Sequence, residues 1–418
     1  MKKINRKQQR VNTKTMITAI DIGKDKNWVM YRSPDGQDSR SFKFSNTRVG
    51  FDSFYTQLLW FKNHYHTDDI VVGFESTGVY TEPLVHYLRD KKICLVLVNP
   101  VHSKKVKEIR DNSPNKTDKK DPRVIADLIE LGCVLSVIVP EGDGAELRHL
   151  IHARERAISE RNGLLSQLHD LVYKIFPEFH RVFKSLKSKT ARYLLMHYPI
   201  PEDVSVADIN ELASELSSIS RGCIKRSQVE EFHTLAQRSI GVKESRNAIV
   251  KEMAHLVKLL EFQEIFIKDI EQEISVTLLR VPVSQRILQI KGIGEVTVAG
   301  ILGETACFQN MHSSKEIEKL AGLNLFEISS GRHQGQKRIS KRGRGLLRKL
   351  FYFAALNVVK HDSVFRDKYQ RYLETGKPKN KGLIAVSRKL IRVIYALVRD
   401  DVNFNCNHHQ EQSYSKAA

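Results

Sequence analysis

The stretch MITAIDIG, residues 16–23, is an apolar run that ends on a carboxylate, Asp21, followed by Ile22 and Gly23. Such a run bounded by a glycine turn reads as a buried strand, here Met16 to Asp21. Outward from it, Asn27 to Tyr31 and Ser41 to Phe44 flank the turn Pro34-Asp35-Gly36, which predicts antiparallel strands. Phe54, Leu58, Leu59 and Phe61 give Phe51 to Asn63 the spacing of a helix. Two more apolar runs, Ile70 to Phe74 and Ile93 to Val98, read as strands separated by a helix over Thr81 to Lys91.

Three antiparallel strands followed by helix-linked parallel ones make a mixed α/β sheet, an arrangement compatible with an RNase H-like domain. Beyond Glu146 the strand signals vanish. Ala145 to Phe176 and roughly Gln228 to Leu279 read as long helices, the second carrying Leu256, Leu259, Leu260, Phe262, Ile265, Phe266, Ile267 and Ile270. That pattern predicts an antiparallel coiled coil or helical bundle, formed within the chain or between copies. After Pro282 the chain reads as helical with glycine punctuation. The expected division is a basic tail over 1–15, the α/β domain over 16–135, a helical coiled-coil region over 136–281, a helical domain over 282–400 and a tail over 401–418.

With 418 residues, 41% hydrophobic and 28% charged, the chain has the composition of a globular protein of more than one domain. It has no apolar run near the roughly 18 residues of a membrane span, and basic Met1 to Lys14 lacks the following apolar segment of a signal peptide. The five cysteines are odd in number and scattered, arguing against a disulfide framework or zinc site and for a reducing cytoplasm. The net charge of +20 is concentrated: +6 lies in residues 1–14 and +15 in residues 331–400, leaving −1 for the rest. A neutral body with a basic C-terminal segment interleaved with Phe351, Tyr352, Phe353, Tyr369, Tyr372 and Tyr395 predicts binding to nucleic acid.

Four carboxylates fall where a metal-dependent phosphodiester chemistry would use them. Asp21 and Glu75 each end an apolar strand, and Asp118 and Asp121 lie three apart at the expected opening of a helix, a spacing that would put both on one face if helical. Such acids suit Mg²⁺ or Mn²⁺, hard cations with oxygen ligands that activate a nucleophile and stabilise a leaving oxygen. Each acid alone also has a structural reading. Asp121 before Pro122 has the form of an N-cap, and Glu75-Ser76-Thr77-Gly78 that of a strand-to-turn junction. In the C-terminal part, Lys291, Gly292 and Gly294 of Ile290-Lys291-Gly292-Ile293-Gly294 could offer backbone N–H groups and charge to a phosphate, or form a plain loop. Ser330 precedes a basic run in which Lys337, Arg338, Lys341, Arg342, Arg344 and Arg348 could hold a scissile phosphate. A Ser-Ser-Gly sequence is equally a common loop.

Taken together, Asp21, Glu75 with Ser-Thr-Gly-Val-Tyr after it, Asn99-Pro100, Lys116-Thr117-Asp118 and Asp121 with Ile125-Ala126 resemble the DEDD-motif insertion-sequence transposases of the IS-one-ten family, relatives of the pilin-gene DNA invertases. The likeness continues through Ile290 to Gly294, similar to the family's helix-hairpin-helix. It extends through Leu320-Ala321-Gly322-Leu323, Ser330-Gly331, Ile339 to Gly343 and Leu347-Arg348, similar to its transposase domain. It covers about 16–135 and 283–399. Two departures are Leu325, where the family usually has proline, and Pro122, where it has a small residue; neither removes a ligand or nucleophile.

The resemblance implies an RNase H-like domain whose Asp21, Glu75, Asp118 and Asp121 bind Mg²⁺. It implies that Ser330, with Ser329 as the adjacent alternative, attacks DNA and becomes linked to a phosphate. It further implies a homo-oligomer, dimer to tetramer, and a bridge RNA that pairs with target and donor DNA in a bacterial, nucleoid-associated setting. The competing readings are a metal-dependent nuclease or junction resolvase in which Ser330 is structural, and a nucleic-acid binder without turnover.

Overall fold

The computed structural model describes residues 11–12, 14–75, 78–110, 121–309, 311–327, 335 and 337–405, which divide into two units, 1–138 and 139–418.

The first unit contains the five strands read from the sequence and a sixth that was not: β1 (Thr15–Asp21), β2 (Lys26–Arg32) and β3 (Phe42–Ser45), then helix α1 (Arg48–His64), β4 (Asp69–Glu75), α2 (Glu82–Asp90), β5 (Cys94–Val98), α3 (Pro100–Arg110), α4 (Asp121–Glu130) and the added strand β6 (Val134–Ser136). They form one sheet in the order β3-β2-β1-β4-β5-β6. β1, β2 and β3 pair antiparallel, β1, β4 and β5 pair parallel, and β6 closes the edge antiparallel to β5. β1 and β4 are apolar on both faces because the sheet is covered on both, as central parallel strands are. On one face Val124, Ile125, Ala126, Leu128 and Ile129 of α4 pack on Ile17, Ala19, Val71, Val96 and Val98. Gly73 permits that approach, since a Cβ there would lie 2.3 Å from Ile129 Cδ1.

An ionic cluster ties α4 to β2. Buried Arg32 meets Asp38 at 2.6 Å, Asp127 at 3.0 Å and Glu130 at 2.7 Å, and Arg123 reaches Asp38 at 2.8 Å. Burial pushes the Asp38 carboxyl up, but the Arg32 and Arg123 guanidiniums more than reverse this and hold it below the usual carboxylate range.

The second unit begins with α5 (Gly142–Ile175), followed by the shorter helices α6 (Phe179–Val182), α7 (Lys189–His197), α8 (Pro201–Val206), α9 (Ile209–Ser220) and α10 (Arg226–Gln237), and then by α11 (Arg246–Leu279). α5 and α11, 34 residues each, lie antiparallel: Asp143 pairs with Arg280, Arg154 with Glu271, Glu160 with Gln263, and Val242 N–H donates to Lys174 C=O. The helix expected over Gln228 to Leu279 is therefore broken at 238–245. Gly241 lies against Ile175, where a Cβ would be 1.8 Å from the carbonyl oxygen, and Glu178 accepts from Ser239 Oγ and Ile240 N–H. One end of the α5–α11 pair shares a core with α6 to α10 around Phe176, Phe179, Phe183 and Phe232. Between the ends, Phe262, Ile265 and Phe266 are exposed, Phe262 by 66%.

The other end of the pair, through Leu147, Ile151, Ile270, Ile274 and Leu278, enters the core of the remaining elements. These are α12 (Val283–Leu288), α13 (Glu295–Thr305), α14 (Ser314–Leu320), β7 (Leu325–Phe326), β8 (Arg338–Ile339), α15 (Gly345–His361), α16 (Ser363–Glu374) and α17 (Lys379–Asp400). Within the expected C-terminal tail, Asn403 and Phe404 are held: Phe404 packs on this core, and both bond to Gln289. No helix among the described residues is long and apolar enough to cross a membrane.

Candidate functional site

Asp21 and Glu75 are the last residues of β1 and β4. These strands run parallel with Ile20 opposite Phe74, so the two acids follow side by side at one end of the sheet. Alternation along a strand places Asp21 on the face of Ile17 and Ala19, and Glu75 on the face of Val71. Both sets pack against α4, so the carboxylates share the face that α4 covers. Both residues are half-buried. Asp121 opens α4, while Asp118 lies outside the described residues. Among the described residues no group of three or more His, Cys, Asp or Glu could hold a metal ion.

The turn after Asp21 is fixed by two side chains that sequence reasoning did not single out. Asn27 Oδ1 accepts from Gly23 N–H at 3.2 Å and its amide donates to Asn46 Oδ1 at 2.6 Å; Asn46 in turn donates to the carbonyls of Gly23 and Lys24. Asn27 is buried within a strand otherwise rich in apolar and aromatic residues, and that mismatch was its only signal. At the end of β5, Asn99 Oδ1 accepts from Val101 N–H at 2.9 Å and starts α3.

In the second unit, Lys291 is exposed on the turn between α12 and α13. Gly292 has φ +96°, and a Cβ there would lie 3.0 Å from the Asn357 backbone of α15. The turn thus needs glycine both for its left-handed backbone and for its approach to α15. Gly294 caps α13 with its carbonyl, which accepts from Thr297 and Val298 N–H.

β7 and β8 pair as a two-stranded ribbon, Leu325 opposite Ile339 and Phe326 opposite Arg338. Ser330 and Ser329 belong to the chain that connects these strands and lie outside the described residues. Lys337 is exposed and 3.5 Å from Glu327; Arg338, Lys341 and Arg342 are exposed and form no ion pair among the described residues. Arg344 and Arg348 instead face the protein. Arg344 Nη1 is 3.3 Å from Glu304 Oε2, and Arg348 Nη1 donates to the carbonyls of Ala321 at 3.0 Å and Lys341 at 3.3 Å.

Residues 18–177 match a family described as "Transposase", of the DEDD type of IS110, and residues 284–370 match the "Transposase IS116/IS110/IS902 family". The chain belongs to the IS110 family of transposases. It is 25% identical over 296 residues to the uncharacterized 44.8 kDa protein of insertion element IS116 from Streptomyces clavuligerus, covering 68% of this chain and 71% of the relative. It is 26% identical over 298 residues to the 42 kDa protein of IS900 from Mycobacterium paratuberculosis, covering 68% and 72%. It is also 22% identical over 313 residues to the transposase for insertion sequence element IS1111A from Coxiella burnetii, covering 74% and 72%. The transposase match over 18–177 extends past the sheet through the whole of α5, so it takes in part of the helical region as well as the carboxylates.

Proposed function

We propose that this transposase excises and inserts an insertion sequence using two groups of residues on one chain: the acids Asp21, Glu75, Asp118 and Asp121, and the nucleophile Ser330. The observation that carries the reading is the side-by-side placement of Asp21 and Glu75 on one covered face of a mixed sheet. The order and directions of the strands support the RNase H-like assignment of that sheet. An all-oxygen donor set of strand-end carboxylates suits Mg²⁺ or Mn²⁺. A cation held there lowers the cost of forming an oxyanion on a phosphodiester.

Ser330 Oγ attacks the scissile phosphorus, forming a phosphoserine ester as the bond to the departing deoxyribose oxygen breaks. The serine proton passes to a base and the leaving oxygen takes up a proton, so the energy of the phosphodiester is kept for religation. Exposed Lys337, Arg338, Lys341 and Arg342 next to the ribbon hold the phosphate. Lys291, Gly292 and Gly294 of the α12–α13 turn, read as a helix-hairpin-helix, contact the DNA backbone, while Arg344 and Arg348 shape the support. A homo-oligomer is supported by the exposed Phe262, Ile265 and Phe266 of α11. A bridge RNA is part of the proposal through the family resemblance, with the basic C-terminal segment as its binding surface and the nucleoid as its place of work.

The test is amplification across the excised circle junction in cells carrying the gene with its native flanking DNA. Loss of the junction in both Asp21→Ala and Ser330→Ala supports the reading. Persistence in Ser330→Ala removes the serine and leaves a metal-dependent nuclease chemistry.

A further inference from the structure

Glu304 is the only acidic residue between Val296 and Cys307, and it is buried, with 3% side-chain exposure. Every helical residue from Val298 to Thr305 is buried, so α13 has no wet face at this level to solvate a carboxylate. Three basic groups from two other elements surround it. His152 Nε2 is 2.7 Å from Oε1 and Arg148 Nε is 3.6 Å from the same oxygen, both from α5, and Arg344, the N-cap residue immediately before α15, approaches Oε2. Arg344 also donates to the Glu304 backbone carbonyl. Burial pushes the Glu304 carboxyl up, but the His152 hydrogen bond and the Arg344 and Arg148 charges outweigh it and keep the group ionised.

What Arg344 holds gives this cluster its significance. Its N–H donates to Leu320 C=O at 2.7 Å; Lys341 N–H donates to Gly322 C=O at 3.0 Å; and Ser340 N–H and Oγ both bond to Asn324. Gly343 is pressed into the same turn, where a Cβ would lie 2.4 Å from the Leu320 carbonyl oxygen. These bonds form the base of the β7–β8 ribbon, and Ser330 falls between its two strands in the sequence.

We propose that Glu304 is a positioning residue for strand exchange: through Arg344 it fixes the base of the β7–β8 ribbon, whose two strands flank Ser330 in the sequence. This rests on the proposed role of Ser330. A carboxylate is suited to the task because it locks a guanidinium fork in one orientation, which a neutral core side chain cannot do. Arg344, set in a basic run, is thereby withdrawn from the phosphate-binding surface while its neighbours Lys341 and Arg342 remain on it.

The test uses the full-length transposase with DNA bearing its native flanks and the transcript of those flanks. Glu304→Gln keeps the shape and removes the charge; Arg344→Lys keeps the charge and removes the fork. Junction formation at saturating DNA is expected to fall roughly tenfold or more in each, as expected for a reacting group displaced by about an ångström, while the half-saturating DNA concentration stays within about twofold. Hydrogen exchange at the Ser340, Lys341 and Arg344 amides should speed up while Ile301 and Leu302 remain protected. Wild-type turnover in either folded variant overturns the inference, as does a loss that follows DNA affinity or spreads exchange through α13. If Glu304→Gln fails to fold, Arg344→Lys decides on the same readouts. Ser330→Ala run alongside separates the two claims: an active Ser330→Ala protein removes the serine reading, whereas an inactive one beside fully active Glu304→Gln and Arg344→Lys proteins removes only the positioning role.

Discussion

Asp21 and Glu75 end neighbouring parallel strands one residue beyond the pairing of Ile20 with Phe74, and strand alternation sets both on the face packed by α4. Neighbouring strands lie about 4.8 Å apart, so two negative charges are brought close together beside an apolar helix. On the proposed reading, a divalent cation held there would offset the repulsion between them. Asp21→Asn preserves shape and removes one charge. Its circle-junction yield is expected to fall by at least about 100-fold, the scale of losing one charge-stabilising group, and chelation of the wild type should do the same. DNA affinity measured by mobility shift should change by less than about twofold, because the proposed reading draws it from the basic segment. Equal loss of affinity and yield would move Asp21 from chemistry to folding.

The reach of the sequence can be judged from these same elements. β1, β4 and β5 were legible to within one or two residues because long apolar runs broken by glycine or acids leave few alternatives. β6, three residues long, and β7 and β8, two each, gave no periodicity to read. The break at 238–245 was hidden because Ile249, Met253 and Leu256 continue a helical pattern, while the contact that forces the turn, Gly241 on Ile175, lies 66 residues away along the chain. At the candidate site the strand-end positions of Asp21 and Glu75 and the helix-start position of Asp121 were legible, while Asp118 lies outside the described residues. The roles of Asn27, Glu304 and Arg344 were not, since a hydrogen bond or ion pair between distant elements leaves no local pattern.

The exposed and the inward-facing cations should separate in a salt titration. Every phosphate that the protein no longer neutralises makes the slope of log affinity against log salt shallower by about 0.9 on duplex DNA. Replacing Arg338, Lys341 and Arg342 together by Gln should reduce the slope by about 2 to 3 and leave the unfolding midpoint within a degree or two. Arg348→Gln should show the opposite pattern, a lower midpoint and an unchanged slope, since it removes bonds to Ala321 and Lys341 rather than to DNA. A common slope change in both proteins would place Arg348 on the phosphate surface.

Acid should weaken the first unit through Asp38. Its carboxyl titrates lower in the folded chain than in the unfolded one, because Arg32 and Arg123 outweigh the burial that pushes it up. A group lowered in this way contributes stability that is fully present above the unfolded value, about 3.9, and is lost as pH falls through the folded one. Asp38→Asn should therefore be less stable than the wild type at neutral pH and approach it as pH falls through the lowered folded-state pKa of Asp38, followed by denaturant unfolding across pH. A stability gap that stays constant with pH would show that packing rather than charge is what Asp38 contributes.

The apolar stretch of α11 makes a prediction about assembly. Phe262, Ile265 and Phe266 lie between the two cores that bury the ends of α5 and α11, on a stretch where neither core covers them. Exposed aromatic area of that kind is costly in water and stabilises association when a second surface covers it. Phe262→Glu with Phe266→Glu should shift sedimentation toward the monomer while leaving helix content unchanged, because neither side chain belongs to either core. Circle-junction yield should fall with the oligomer, at protein concentrations where the wild type is assembled. A double variant that sediments as the wild type would place the contact between copies elsewhere, and one that is monomeric yet fully active would show that a single chain completes the reaction.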